Sequence, residues 1–308
     1  MATYQDPTKK AVLCKYNGVP TSTDAIKLCE NVLFSPELKK STCTAVGDGK
    51  GEVTETTVAK DATVKASIKS DVRTPASAGT VPVIDDLWQM SGLAVEVNTD
   101  DSTATYTKAP SFPALGTIVD YTDDEKRTIT KVRADFTMEF TQGEAVMVTF
   151  DINGQMQVKP EIEANPADIV LDTGRKFFVD CIAVNSFDGG VIHFKKATFK
   201  MGNEIKENEV KTSVEGGGEC EAYKVGSRKP TLVIEDSKEK GVVQHWDDLA
   251  DGTKRAFYIE MTDYVSGQKL KLDVPVMSYE EVAESIEDTS RIGVSRTFNV
   301  DEFSLKYS

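Results

Sequence analysis

The chain has 308 residues, of which 36 are basic and 50 acidic, for a formal net charge of −14. A protein that grips nucleic acid by neutralising phosphates needs the opposite sign, so tight nucleic-acid binding is excluded. With 39% apolar and 28% charged residues the chain can bury a real core rather than stay disordered, and its length suits two domains or one large one. The acidity is spread out: residues 1–160 hold 17 basic and 22 acidic residues, and residues 161–308 hold 19 and 28. The five cysteines, Cys14, Cys29, Cys43, Cys181 and Cys220, are odd in number and widely spaced with no C-x-x-C. Reduced, buried thiols are expected, not a disulfide framework or a zinc site. The start at Met1 has no basic stretch followed by an apolar one, and no run approaches 18 apolar residues, so neither a signal peptide nor a membrane span is expected.

Taken in chain order, strand signals dominate. Val, Ile, Thr, Phe and Tyr crowd into Ala25–Phe34, Thr63–Ile68, Thr117–Tyr121, Thr128–Phe140, Ala145–Ile152, Val191–Met201, Pro230–Glu235, Ala256–Thr262, Lys269–Met277 and Ile292–Val300. Many alternate at period two, as in Lys269-Leu-Lys-Leu-Asp-Val-Pro-Val, which places one face on a core and the other on solvent or a lumen. Helical signals are few: Val83–Leu93, Val242–Ala250 and Ser278–Glu287. The balance predicts a mainly β fold of the sandwich or barrel class.

A repeat runs through this order. In the first half a strand, Lys27–Phe34, leads into a polar excursion with the tip Gly47-Asp48-Gly49-Lys50-Gly51, and a second strand returns through Thr63–Ile68. The short helix-like Asp85-Asp-Leu-Trp88 follows, then a hairpin turning at Asp123-Asp-Glu-Lys126, then a strand over Ala145–Ile152. In the second half His193–Phe199 leads into an excursion with the tip Glu215-Gly216-Gly217-Gly218, and Pro230–Glu235 returns. Gln244-His-Trp246-Asp-Asp-Leu follows, then a hairpin turning at Val265-Ser-Gly-Gln268, then Ile292–Val300. The chain's two tryptophans fall at matching places. An insertion around Val95–Leu115 and unequal loops absorb the changes in offset. Two tandem copies of one β-domain are therefore expected, at 1–160 and 161–308, the second opening with a linker over Lys159–Arg175 that contains Pro160, Pro166 and Gly174.

The residues do not assemble a catalytic site. The two histidines, His193 and His245, have no serine or cysteine elbow beside them. Gly47-Asp-Gly-Lys-Gly lacks the phosphate-loop spacing. Asp85-Asp86 suits a helix N-terminus and Asp247-Asp248 a short helical turn, so neither reads as a paired acid for glycoside hydrolysis. Asp151-Ile-Asn-Gly154 and Asp100-Asp101 do not keep calcium-loop spacing. No enzyme activity, cofactor or metal is expected.

Several stretches, in this order, resemble one family. Val191-Ile-His-Phe-Lys-Lys-Ala-Thr-Phe-Lys-Met-Gly-Asn203 resembles the strand that opens the second half of bacteriophage tail tube proteins, and Gly226-Ser-Arg-Lys-Pro-Thr-Leu-Val-Ile-Glu235 the loop closing it. Ala134–Gly154, with its Gly143-Glu144 turn, resembles the family's hairpin, and Lys10-Ala-Val-Leu through Val32-Leu-Phe-Ser-Pro-Glu37 also fits. The resemblance covers most of the chain as strand-and-loop patterns. It implies a structural virion subunit, a β-sandwich or barrel with a short flanking helix, whose six domains per ring join strands into an inner β-barrel around the channel for genome passage. With two copies per chain, rings of three chains are expected, six chains remaining the alternative should the copies differ.

The expected partners are further copies of the chain, other tail proteins (tape measure, terminator, distal tail protein) and double-stranded DNA in transit without specific binding. The expected place is the virion tail, assembled in the host bacterial cytoplasm. The two Gly-rich tips are the candidate contacts between stacked rings. Candidate lumen strands are Arg127–Glu139, Glu144–Asp151, Lys269–Glu281 and Arg291–Asp301, with Asp135, Glu139, Glu144, Asp151 and Asp273 as candidate lumen residues and a negative lumen that DNA passes without sticking. A tail terminator or hub of the same fold, or a β-sandwich binding or adhesion module, are the competing readings.

Overall fold

The structure, a computed structural model, describes residues 10–30, 32–37, 40–46, 52–58, 61–111, 114–157, 159–180, 184–207, 223–237, 244–286 and 292–308. Its first half contains β1 (Lys10–Tyr16), β2 (Ala25–Ile26), β3 (Pro36–Glu37), β4 (Lys40–Val46), β5 (Glu52–Val58), β6 (Asp61–Asp71) and helix α1 (Asp85–Met90). It continues with β7 (Leu93–Asn98), β8 (Thr103–Lys108), β9 (Gly116–Thr122), β10 (Glu125–Thr141), β11 (Met147–Gln157) and β12 (Glu161–Ile162). The second half holds β13 (Val184–Phe187), β14 (Gly190–Val191), β15 (Lys196–Lys200), β16 (Asn203–Glu207), β17 (Tyr223–Arg228) and β18 (Thr231–Ser237). Helix α2 (Gln244–Asp251), β19 (Lys254–Thr262), β20 (Lys269–Ile286) and β21 (Ile292–Tyr307) complete it.

The mainly β expectation holds. Seventeen of these strands belong to one continuous antiparallel sheet that curls on itself as a barrel, while β4–β5 and β16–β17 stand apart as two hairpins. The long hairpins β10–β11 and β20–β21 form its backbone. In the first half the neighbours run β1–β9–β10–β11–β6; in the second they run β13–β19–β20–β21–β18. Each separate hairpin precedes the last strand of its series, and a short helix follows that strand. The sheet does not stop between the halves: β10 pairs with β15, and β21 with β8. Period-two burial makes the core. On β11, Val148, Phe150 and Ile152 turn inward while their neighbours do not.

Three details differ from the pattern read along the chain. Of the expected helix Ser278–Glu287, the described residues Ser278–Ile286 are strand. The apolar spacing of three between Tyr279 and Val282 arises because the register with β21 shifts between Tyr279 and Glu281; the extra residue of a bulge imitates a helical step. Among the described residues of Ala25–Phe34, only Ala25–Ile26 is strand, although Val32 and Phe34 are still buried. The insertion around Val95–Leu115 contains the hairpin β7–β8, which extends the sheet through β21.

The paired acids are structural. Asp85 accepts hydrogen bonds from the Tyr106 hydroxyl at 2.7 Å and from Gln89 Nε2 at 2.8 Å, and Asp86 accepts one from the Tyr16 amide at 2.8 Å. They fix α1 over the core, where Trp88 meets Phe136 and Phe150 edge-on at 4.8 and 5.0 Å. The matching Trp246 on α2 is 43% exposed. Among the described residues Cys14 is a buried free thiol and Cys29 an exposed one.

Candidate assembly surface

The feature with most bearing on assembly is the seam where the second half adds a strand to the first. Along one edge β10 is paired with β11 for most of its length. Along the other it is shared: its N-terminal part pairs with β9, and Thr137–Thr141 pairs with Lys200–Lys196 of β15. A change of partner along one edge needs a place where β9 leaves. It comes just after Lys131, which has φ 55° where the register with both neighbours shifts.

Three consecutive residues lock the seam, Met201-Gly202-Asn203. The Met201 amide donates to the Phe136 carbonyl at 3.0 Å. Gly202 turns the chain away with φ +67°; a Cβ there would lie 2.2 Å from the Lys229 carbonyl oxygen, so only glycine fits. Asn203 then reaches back. Its amide donates to Asp135 Oδ1 at 2.9 Å, and its Nδ2 donates to the carbonyls of Ser91 and Ala134 at 2.7 and 3.0 Å. Across the core-facing side Phe199 packs on Phe136 with centroids 5.8 Å apart.

The candidate lumen residues fall into three places. Asp135, Glu139 and Asp151 share the polar face of the sheet beside the seam, and Asp135 lies directly opposite Asp151. Asp135 is buried, only 8% exposed, and carries the Asn203 bond; burial pushes its carboxyl up, and the Asp151 charge adds to that. Asp151 is exposed and accepts from Ser67 Oγ at 2.5 Å. Glu139 is half-buried and pairs with Lys196 Nζ at 2.5 Å, across the seam. Glu144 sits in the turn between β10 and β11, where Gly143 has φ +82°. Asp273 lies at the far end of β20, opposite Tyr258 of β19, and binds Lys271 at 2.9 Å.

The face that holds Asp135, Glu139 and Asp151 also holds Lys65 and Lys69 of β6 and Lys196 and Lys200 of β15, so it carries both signs. Lys196, Lys200 and Asn203 were not singled out in the sequence. The Met-Gly-Asn run was their only signal, and it does not say which strand it docks on. The two Gly-rich tips, Gly47–Gly51 and Glu215–Gly218, lie outside the described residues.

Among the described residues, no catalytic constellation accompanies the seam. His245 Nδ1 lies 3.1 Å from the Tyr279 hydroxyl, and burial, with the neighbouring Arg296 charge, lowers its affinity for a proton. These side chains adjoin a crevice of about 190 Å³ under α2, also lined by Trp246 and Val282. Among the described residues no group of histidine, cysteine and carboxylate side chains is placed to hold a metal, and no helix is long and apolar enough to cross a membrane.

No curated protein matches the chain. The family model described as phage tail tube protein matches residues 18–235, a span that covers both sides of the seam and well over half of the chain; the chain belongs to the phage tail tube family.

Proposed function

We propose that this tail tube subunit builds rings of three chains, each chain supplying two tandem tube domains, 1–160 and 161–308, to a pseudo-sixfold wall. The observation that carries the reading is the seam. Each half has the same order of paired strands, and the first joins the second by β10–β15 pairing. A contact of this kind, repeated between chains, closes a ring and removes the exposed edges of a β-rich protein.

Stacked rings enclose a channel through which DNA leaves the virion. A net charge of −14 opposes retention of the duplex by counterion release, while the mixed charges around the seam make the contrast local and not a uniform acidic wall. The tips Gly47–Gly51 and Glu215–Gly218 serve contacts between rings, and the ends of the tube meet the tape measure, terminator and distal tail proteins. The wall acts by shape and charge, with no catalytic role.

Electron microscopy of the concentrated protein, with a mass measurement, tests the reading. Three-chain rings or hollow tubes are expected; a monomer at every concentration overturns it. Replacing Gly216–Gly218 by a shorter turn separates the two contacts: rings should persist while stacking weakens, and unchanged polymerisation removes that tip from the stacking role.

A further inference from the structure

The strand pairings of the two halves differ at one edge. β10 is flanked by β15 along Thr137–Thr141. Its counterpart in the second half is the last part of β20. Matching the inward residues Val148, Phe150 and Ile152 of β11 to Val294, Arg296 and Phe298 of β21 sets the pair Glu139–Met147 against Ser285–Gly293. β20 pairs with β19 only as far as Ser278, and among the described residues its pairing from Glu281 to Ile286 is with β21 alone. That edge is therefore open where its counterpart is filled.

The strand that would fill it has a counterpart too. β15 lies between β10 and β18. In the first half the same position, beside β6, is taken by the segment from Val32 to Glu37: Pro36 and Glu37 pair with Val64 and Thr63, and Phe34 is buried as Phe199 is. No strand lies on the far side of this segment among the described residues. Backbone groups alternate between the two edges of a strand. Just past β15 the Met201 backbone, and hence that of Phe199 and Ala197 on the strand, faces β10, so Phe34 and Val32 face the open side. Their carbonyls are held by side chains: Val32 by Lys10 Nζ, and Phe34 by Arg127 Nη1 at 3.0 Å. Each cation also has a carboxylate of its own, Asp120 for Lys10 at 3.1 Å and Glu125 for Arg127 at 3.3 Å. Lysine, arginine and a proline along an open edge are what keeps strands from pairing indiscriminately.

We propose that Glu281–Ile286 of one chain pairs antiparallel with Val32–Pro36 of the next, with Lys10 and Arg127 giving up the two carbonyls to the incoming strand. The inference rests on the ring reading above and specifies its contact. Carrying the β10–β15 register across places Ala283 opposite Ser35, Ser285 opposite Leu33 and Ile286 opposite Val32. Ile286 and Leu33 are 85% and 73% exposed in the single chain, and the contact covers both. It also brings the neighbour beside the crevice at Trp246, whose counterpart Trp88 is already enclosed.

The register makes Ala283–Ser35 and Ser285–Leu33 non-hydrogen-bonded pairs, with Cα atoms about 4.5 Å apart, near enough for a disulfide, whereas partners beyond about 7 Å are not. The double variants Ala283→Cys/Ser35→Cys and Ser285→Cys/Leu33→Cys, oxidised and run without reductant, should give covalent dimers and closed trimers. The single variants and the mismatched pair Ala283→Cys/Leu33→Cys should stay monomeric under denaturing conditions. Rings of the same variants seen by microscopy without those cross-links overturn the proposed pairing and leave the ring reading standing. Equal cross-linking by the mismatched pair overturns the register. A wild-type chain that never leaves the monomer overturns both.

Discussion

The Met201 amide donates to the Phe136 carbonyl at 3.0 Å, and with that bond a strand of the second half becomes part of the first half's sheet. The residues that follow make the junction permanent, Gly202 by its left-handed turn and Asn203 by its three hydrogen bonds into the first half. The two halves are thus built into one sheet within a single chain.

Asn203 tests this junction. Asn203→Ala removes the donor from the buried carbonyls of Ser91 and Ala134; a buried acceptor left unsatisfied costs about 1–3 kcal/mol. Denaturant unfolding should show a lower midpoint with one transition. Loss from the second half alone, in two resolved steps, would show that the seam does not couple the halves.

Gly202 should tolerate less. Any side chain meets the Lys229 carbonyl and holds a φ of +67°, so Gly202→Ala should destabilise by more than the roughly 1 kcal/mol by which such changes act through the unfolded chain. Thermal unfolding of Gly202→Ala beside Gly189→Ala is the check. Gly189 has a similar φ, +81°, with nothing within 4 Å of its Cβ position, so the Gly202 variant should melt lower.

The tryptophans should report separately. Trp88 is fully buried against Phe136 and Phe150, and Trp88→Ala should cost about 3–5 kcal/mol. Trp246, partly exposed on α2, should lose far less in the monomer. Iodide should quench the Trp246 emission of Trp88→Phe and leave that of Trp246→Phe nearly untouched.

Asp71 links β6 to the segment that leads into the second half. It is 2% exposed and pairs with Arg73 at 2.5 Å and Lys176 at 2.7 Å. Burial raises its carboxyl, but the hydrogen bonds from Arg73 and Lys176 outweigh this and hold it below its usual value. A lowered carboxylate stabilises the fold above its unfolded value of about 4 and loses that contribution as pH falls through the lowered one. Asp71→Asn should therefore lower the denaturation midpoint at pH 6, and the gap from wild type should close on acidification below pH 4. A gap independent of pH would assign the loss to packing.

Much of this protein was legible along the chain because period two is a local property. Val148, Phe150 and Ile152 announce their inward face whatever they later touch, and the acid pair before Trp88 marks a helix start by charge alone. The same reading failed at Tyr279–Val282, where a bulge moved the apolar spacing to three. It also stopped short at Val32 and Phe34, which are buried without being strand.

The sequence by itself determined the β class, the sign of the net charge and the family resemblance, since all of these are carried by composition and short-range pattern. Only the tertiary structure decided which strands are neighbours. Pairing is a contact between residues far apart in the chain, such as Phe136 with Met201, and no local period encodes its partner or register. For that reason Asp135, an alternating acid like Glu139 in the sequence, proves to be a buried acceptor for Asn203, and the edges at Val32–Glu37 and Glu281–Ile286, open among the described residues, become visible only once the other strands have found their places.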